Sequence, residues 1–324
     1  MDPSQVIKES LRHELDQFDN YLWKALENDN KRISDIIQHT FKVDGKRIRP
    51  MLVFLVAKAC GDITPATYHA AVTVELLHTA TLMHDDVVDE AAVRRGQPSA
   101  NAIFDNNRTV LAGDYVLSSS LVESVKTNNL EIIGIISELG KNLAEGELNQ
   151  YSLANEIIID EDEYFKVIDK KTASLLYVCA KIGAITAGAD RHTIEEFGKA
   201  GRILGIAFQI RDDIFDYYKA DIGKPTGNDI REGKITLPLI YALKNTPQEA
   251  SEEMMAIIRT RNFSTENIEA LLDFAKRNGG IEYAQKTLEK LLDETEQIIK
   301  NVSIDNDFRI MLELLLMYLK NRAF

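Results

Sequence analysis

Two short stretches concentrate carboxylates at a spacing that suits a metal ion. Residues 85 to 89 read DDVVD, with Asp85, Asp86 and Asp89, and residues 212 to 216 read DDIFD, with Asp212, Asp213 and Asp216. On a helix the first and last aspartates of each stretch stand one turn apart and about 40° around the axis, so both carboxylates lean to one side. Unpaired like charges at that spacing destabilise a helix by a few tenths of a kcal/mol, and by more if buried, so each cluster needs solvent or a cation. Hard oxygen donors with no thiolate nearby suit Mg²⁺, which keeps several waters and is shared between one or two carboxylates and a substrate phosphate. Bound phosphate is therefore expected. Basic residues stand close by in sequence: Lys46, Arg47 and Arg49 in GKRIRP, Arg94 and Arg95 in RRG, Lys170 and Lys171 in DKKTAS, and Lys224, Arg231 and Lys234 in GKPTGNDIREGK. Arginine clamps phosphate bidentately, and glycine lets backbone N–H groups approach an anion. Singly, each cluster reads equally as a solvated helix end. The pairing of two, each behind an apolar helix rich in small residues, favours a site.

The elements that must hold these residues are helical. Apolar residues recur at three and four, as in Leu11, Leu15, Phe18 and Leu22, and prolines fall where helices break, at Pro50, Pro65, Pro98, Pro225 and Pro247. No linker or composition shift divides the chain, so one all-α domain over residues 1–324 is expected. His78 lies seven residues before Asp85, about 20° around the wheel, and shares its face. With Glu75 it also spells the Glu-x-x-His of di-iron bundles, but such bundles need two copies and no second one occurs. The 324 residues are 45% hydrophobic, and 51 acidic against 38 basic side chains leave a net charge of -13. That balance argues against a general binder of nucleic acid or anionic membranes. Cys60 and Cys179, far apart in apolar surroundings, suggest neither disulfide nor zinc, and a reducing cytoplasm fits them. The opening MDPSQVIKES has no apolar signal core, and MLVFLVA from Met51 is far short of a membrane span, so a soluble protein is expected.

The motifs resemble those of the trans-polyprenyl diphosphate synthases. GKRIRP, HTATLMHDDVVDEAAVRRGQP, GDYVLSSS, the KT at 171, FQIRDDIFD and GKPTGNDIREGKITLP follow that family's order over most of the chain. The resemblance implies an all-α bundle of mostly antiparallel helices around a deep cavity, usually in a homodimer. It also implies Mg²⁺-dependent joining of isopentenyl diphosphate to an allylic diphosphate. Carried over, Lys46, Arg49, His78 and Arg95 are similar to the clamp for isopentenyl diphosphate, and Arg94 to a contact with the allylic diphosphate. Asp85, Asp89 and Asp212 would hold Mg²⁺ on the allylic diphosphate, with Asp86, Asp213 and Asp216 supporting directly or through water. Lys171, Thr172, Gln209, Lys224 and Lys234 would complete the allylic pocket. The chemistry implied is ionisation of the allylic diphosphate, attack by the isopentenyl double bond, and proton loss to the released pyrophosphate.

Product length is implied at the same helix. Short-chain members of the family often carry bulky residues four and five places before the first aspartate, where this chain has Thr81 and Ala80. Leu77 and Thr81 fall within about 80° of Asp85 on the wheel, and Ala80 about 140° away. A stripe of Gly198, Gly201 and Gly205 lies within about 40° of the direction of Asp212, and serves either an open cavity wall or close helix packing. A pocket buries most of the ligand it takes, so an unblocked floor implies roughly seven to nine isoprene units, of the kind found in quinone side chains, started on a farnesyl or geranylgeranyl primer. Transient membrane contact would help release such a product. The competing readings are a short-chain farnesyl or geranylgeranyl diphosphate synthase, a terpene cyclase, and a non-catalytic subunit of a heteromeric synthase. Cyclases usually pair one DDxxD with an Asn/Ser/Glu motif, and non-catalytic subunits usually have degraded clusters; both clusters are intact here.

Overall fold

Thr64 and Thr67 start the helix that carries the first acidic cluster. Each side chain accepts a hydrogen bond from the other's backbone N–H, and Pro65 takes the first helical position, where no N–H is needed. The helix, Pro65–Val88, is buried on every side from Ala70 to Leu77, which is the pattern of a core helix rather than a surface one. It packs along Asn106–Lys126 and Ile48–Cys60. The computed structural model describes residues 3–43, 45, 47–218 and 226–320. Lys46 and Lys224 lie outside them.

The chain divides into two compact units: Met1–Gly140 with Leu176–Lys199 and Ile298–Phe324, and Lys141–Leu175 with Ala200–Gln297. Because each is assembled from separated segments, no linker marks the division in the sequence. The first unit is helical apart from a small hairpin, Val93–Arg94 paired antiparallel with Gln97–Pro98. Arg95 at φ 52° and Gly96 at φ 76° form its turn, the two positive angles that a tight two-residue hairpin requires. The hairpin is tied down through His39, whose ring meets the Pro98 carbonyl at 2.8 Å.

In the second unit a core of Ile210, Ile214, Tyr217, Leu237, Leu239 and Leu271 joins the end of the Arg191–Phe215 helix to Leu237–Asn245 and Thr265–Arg277. Between Glu161–Ile168 and Ser174–Thr186 the backbone widens into one π-helical turn, Asp169–Ala173. Such turns are rare and concentrate at functional sites. Among the described residues no helix is long and apolar enough to cross a membrane.

Candidate active site

Each acidic cluster closes the C-terminal end of its helix. Asp85 and Asp86 lie in the last turn of Pro65–Val88 and Asp89 is its C-cap, while Asp216 follows the last residue of Arg191–Phe215. Negative charge there opposes the helix macrodipole, at about 0.3–1 kcal/mol for each exposed group. Such a placement is less favourable in the free chain than with a cation bound.

In the first unit the three aspartates have separate surroundings. Asp89 is exposed and Asp85 half-buried, whereas Asp86 is 5% exposed and its Oδ1 accepts from both Nε (2.7 Å) and an Nη of Arg94. Asp86 therefore aims Arg94 rather than presenting a bare carboxylate. The hairpin brings Arg95 to the GKRIRP loop, with its guanidinium 3.4 Å from the Val43 carbonyl. A Cβ added at Gly45 would sit 3.3 Å from the same group, so only a residue without a side chain fits comfortably there. Burial first, then Arg49, Arg95 and Arg94, hold the His78 imidazole well below its usual pKa. His78 is thus neutral at physiological pH, with one N–H to donate, inside a strongly positive nest. Arg49, Arg94 and Arg95 thus stand close enough to His78 to act on its charge.

In the second unit a chain of hydrogen bonds starts on the π-turn. Thr172 Oγ1 donates to Gln209 Oε1 at 2.8 Å, Gln209 Nε2 donates to Asp213 Oδ1 at 2.7 Å, and Tyr164 Oη donates to Asp213 Oδ2 at 2.6 Å. Asp213 is 3% exposed; burial, then the Asp229 carboxylate, push it well above the usual carboxylate range. Burial and Asp216 likewise push Asp229 up to about 7. Asp216 accepts from the Asn228 and Asp229 backbone N–H groups, both at 3.0 Å, and so caps the short Asn228–Arg231 helix. Asp212 is exposed and meets Arg211 at 3.3 Å. Lys171 pairs with Glu147, and Lys234 with Glu232 at 2.5 Å. Tyr164, Glu147 and Asp229 were missed by the sequence reading. Only Asp229, inside the quoted GKPTGNDIREGK, carried a signal.

Tyr164→Phe removes one of the two donors to a buried carboxylate. It is expected to cost about 1.5–3 kcal/mol of stability and to lower turnover. Denaturant unfolding alongside initial rates checks both, and an unaltered midpoint would mean that Asp213 does not depend on the phenol.

Lys171, Thr172, Gln209, Asp213, Asp229 and Lys234 line a cavity of about 240 Å³ together with other polar residues, Arg261 and Asp160 among them, and an apolar stretch that includes Leu153, Ile157, Val167, Ile168 and Phe263. A polar end that fixes a head group beside an apolar wall is the usual form of a small-molecule site. The first unit has a smaller cleft of about 40 Å³, lined by His39, Thr79, Asp86, Arg94, Arg95 and Gln97 among others. Neither is lined by Leu77, Ala80 or Thr81. Ala80 and Leu77 are buried at 1% and 2% exposure, and the half-buried Thr81 turns its hydroxyl to the His78 carbonyl at 2.8 Å.

The glycine stripe resolves to packing. A Cβ at Gly205 would come within 2.5 Å of Ala173 Cα, and one at Gly198 within 2.9 Å of the Tyr177 ring. Gly146 approaches the same π-turn from the Leu130–Glu156 helix, where a Cβ would lie 2.9 Å from the Lys171 backbone nitrogen. Two glycines therefore clamp the turn that presents Lys171 and Thr172. At Gly198 and Gly205 the stripe gives no support to an open channel for a tail.

Among the described residues no group of three or more His, Cys, Asp or Glu side chains is arranged to hold a metal ion alone. The donors nevertheless fit a hard divalent cation. They are all oxygen, and the crowding that raises Asp213 and Asp229 is what a cation would relieve. The missing ligands would come from water and a bound diphosphate.

Comparison with known proteins agrees with this chemistry. Residues 30–275 match the family model described as polyprenyl synthetase. The octaprenyl diphosphate synthase of Escherichia coli K12 is 35% identical over 274 residues, 84% of either chain. The crystal structure of a decaprenyl diphosphate synthase from Rhodobacter capsulatus superposes with a TM-score of 0.94 at 32% identity, covering 99% of both chains. That of a geranylgeranyl pyrophosphate synthase from Bacteroides thetaiotaomicron gives 0.86 at 40% identity, over 99% of this chain and 100% of that one. The all-α architecture is therefore that of the polyprenyl synthases, and the chain belongs to the polyprenyl synthetase family of prenyltransferases.

Proposed function

We propose that this chain adds isopentenyl diphosphate to a farnesyl or geranylgeranyl diphosphate primer in successive head-to-tail (1'-4) steps, giving an all-trans product of about seven to nine isoprene units for a quinone side chain, a reading supported by its octaprenyl and nonaprenyl relatives. The observation that carries the reading is the cavity in which Lys171, Thr172, Gln209 and Lys234 stand beside the crowded carboxylates Asp213 and Asp229. Lysine charge there lowers the cost of the negative charge that collects on a departing diphosphate, and in the first unit Asp86 aims Arg94 for the same kind of contact. The allylic C–O bond breaks and its electron pair leaves with that diphosphate. The isopentenyl double bond then forms the new C–C bond, and the proton lost goes to the released pyrophosphate. Arg49, His78 and Arg95 hold the second diphosphate. A divalent metal, which we take to be Mg²⁺ at Asp85, Asp89 and Asp212, supplies further neutralisation of the leaving group when bound.

In this reading the two units form one synthase domain, supported by a family match that runs through both. The chain acts as a homodimer. The support is an apolar surface on Asn106–Lys126, where Leu111 is 67% exposed and Leu121, Val122 and Val125 are exposed beside it. Sedimentation as a monomer would overturn that. A cytoplasmic setting agrees with Cys60 and Cys179, both free thiols pushed up to about 12 by burial. Membrane contact is brief and serves only to release the apolar product.

The test is chromatography with mass detection of the products formed from isopentenyl and farnesyl diphosphates. Products of thirty-five to forty-five carbons support the reading. An end at fifteen or twenty carbons gives instead a short-chain synthase, which the 40% identical geranylgeranyl pyrophosphate synthase favours. Ala80→Phe is expected to shorten the product, although Ala80 is buried at 1% exposure and lines neither cavity. If Ala80 belongs to the packed core, overpacking costs about 1–3 kcal/mol and length stays the same.

A further inference from the structure

Glu75 is the motif residue still without a role. It lies inside the Pro65–Val88 helix at 4% exposure, one turn before His78, and its Oε2 is buried with no hydrogen-bond partner. Its Oε1 is 3.9 Å from an Nη of Arg47. Arg47 occupies the left-handed region at φ 55°, bonds to Asp19 at 2.9 Å and stacks over Phe18 at 5.2 Å, so it is held from three sides in a strained backbone position. Two residues on, Arg49 has a buried Nε without a partner. Burial lowers the Arg49 pKa, and Glu75 is the largest influence acting against that burial. Cys179 feels the same pair: burial raises its pKa most, Arg49 acts to lower it and Glu75 to raise it.

A buried ion pair is weak evidence for stability, because well-packed apolar residues usually serve a core at least as well. A buried carboxylate with an unused oxygen, next to a buried guanidinium with an unused nitrogen, is better explained by a third charge that completes the arrangement. Arg49, His78, Arg94 and Arg95 make the surroundings strongly positive, and among the described residues Glu75 is a buried acid on the Arg47 and Arg49 side. We infer that Glu75 is a positioning residue: its carboxylate anchors the Arg47 and Arg49 guanidinium groups, so that Arg49 is presented to the diphosphate of isopentenyl diphosphate. This rests on the function proposed above. It also gives the Glu-x-x-His pair a use that needs no iron: the glutamate orients an arginine, and the histidine one turn later shares the anion.

The experiment is steady-state kinetics on the full chain with isopentenyl diphosphate and farnesyl diphosphate varied separately. Glu75→Gln keeps the shape and removes the charge. It is expected to raise KM for isopentenyl diphosphate by about tenfold to a hundredfold, with KM for farnesyl diphosphate unchanged. Arg49→Gln is expected to do the same, and the double variant to be no worse than Arg49→Gln alone, because the two residues act as one unit. Effects that multiply, or KM values that rise for both substrates together, would overturn the inference. If Glu75→Gln does not fold, Glu75→Asp decides: it keeps the charge but withdraws it by one methylene, and about a threefold rise confined to isopentenyl diphosphate is expected. A wild-type KM in that variant would assign Glu75 to the core alone. A wild-type chain that consumes no isopentenyl diphosphate would sink the proposed function and this inference with it, whereas an active wild type with an unaffected Glu75→Gln sinks only the inference.

Discussion

Asp85→Ala is expected to lower kcat by about 10²–10³-fold or more, far more than any change in stability would produce. The two effects have different causes. Asp85 sits in the last turn of its helix, one turn from Asp89, so its charge is opposed both by a like charge and by the helix dipole. Removing it relieves a few tenths of a kcal/mol of repulsion. Catalysis loses a group that neutralises the leaving diphosphate through the metal. Initial-rate assays at saturating substrates, run beside thermal unfolding, separate the two. An unchanged kcat would remove Asp85 from the site, and a lowered melting temperature would make it a folding residue instead.

The second large effect is expected at a residue with no side chain. Gly205→Ala places a methyl 2.5 Å from Ala173 Cα, a backbone atom that cannot rotate away. The π-turn Asp169–Ala173 must shift, and Lys171 and Thr172 shift with it. About 1–3 kcal/mol of stability should be lost to overpacking, and displacement of catalytic groups by about 1 Å can cost 10²-fold in rate. The expected result is therefore a fall in kcat/KM for the allylic diphosphate much larger than the modest loss of stability would produce. Gly134→Ala is the control. A Cβ there meets nothing within 4 Å, and the substitution should stabilise the helix by about 0.5–1 kcal/mol. If both variants retain wild-type kinetics, the close approach at Gly205 does not control the turn.

The helices and the acidic motifs were legible because they are local. Apolar spacing, capping threonines and proline at a first helical position are written in consecutive residues, and DDVVD and DDIFD announce their carboxylates. The π-turn was not legible, because nothing in DKKTA specifies it. It is held by Gly146 and Gly205, which come from helices well before and well after it in sequence. The same tertiary contact chooses packing over a cavity wall at Gly205, where the sequence left both open: a helical wheel gives direction but not what stands opposite. The wheel also failed to rank Leu77 against Ala80, because a helix buried on all sides leaves no face to choose. Arg94 and Arg95 were found as charges, but not as the last strand residue and the first turn residue of a hairpin. Tyr164 was invisible because its partner Asp213 lies 49 residues away.

Both acidic clusters end their helices against the dipole, and that arrangement has a thermodynamic corollary. The free chain carries part of that repulsion, and cations with diphosphate relieve it when they arrive. A ligand that binds the folded state alone stabilises it by RT ln(1 + [L]/Kd), about 2.7 kcal/mol at a hundredfold excess over Kd. The resistance of this enzyme to unfolding is therefore set partly by the supply of its own substrates.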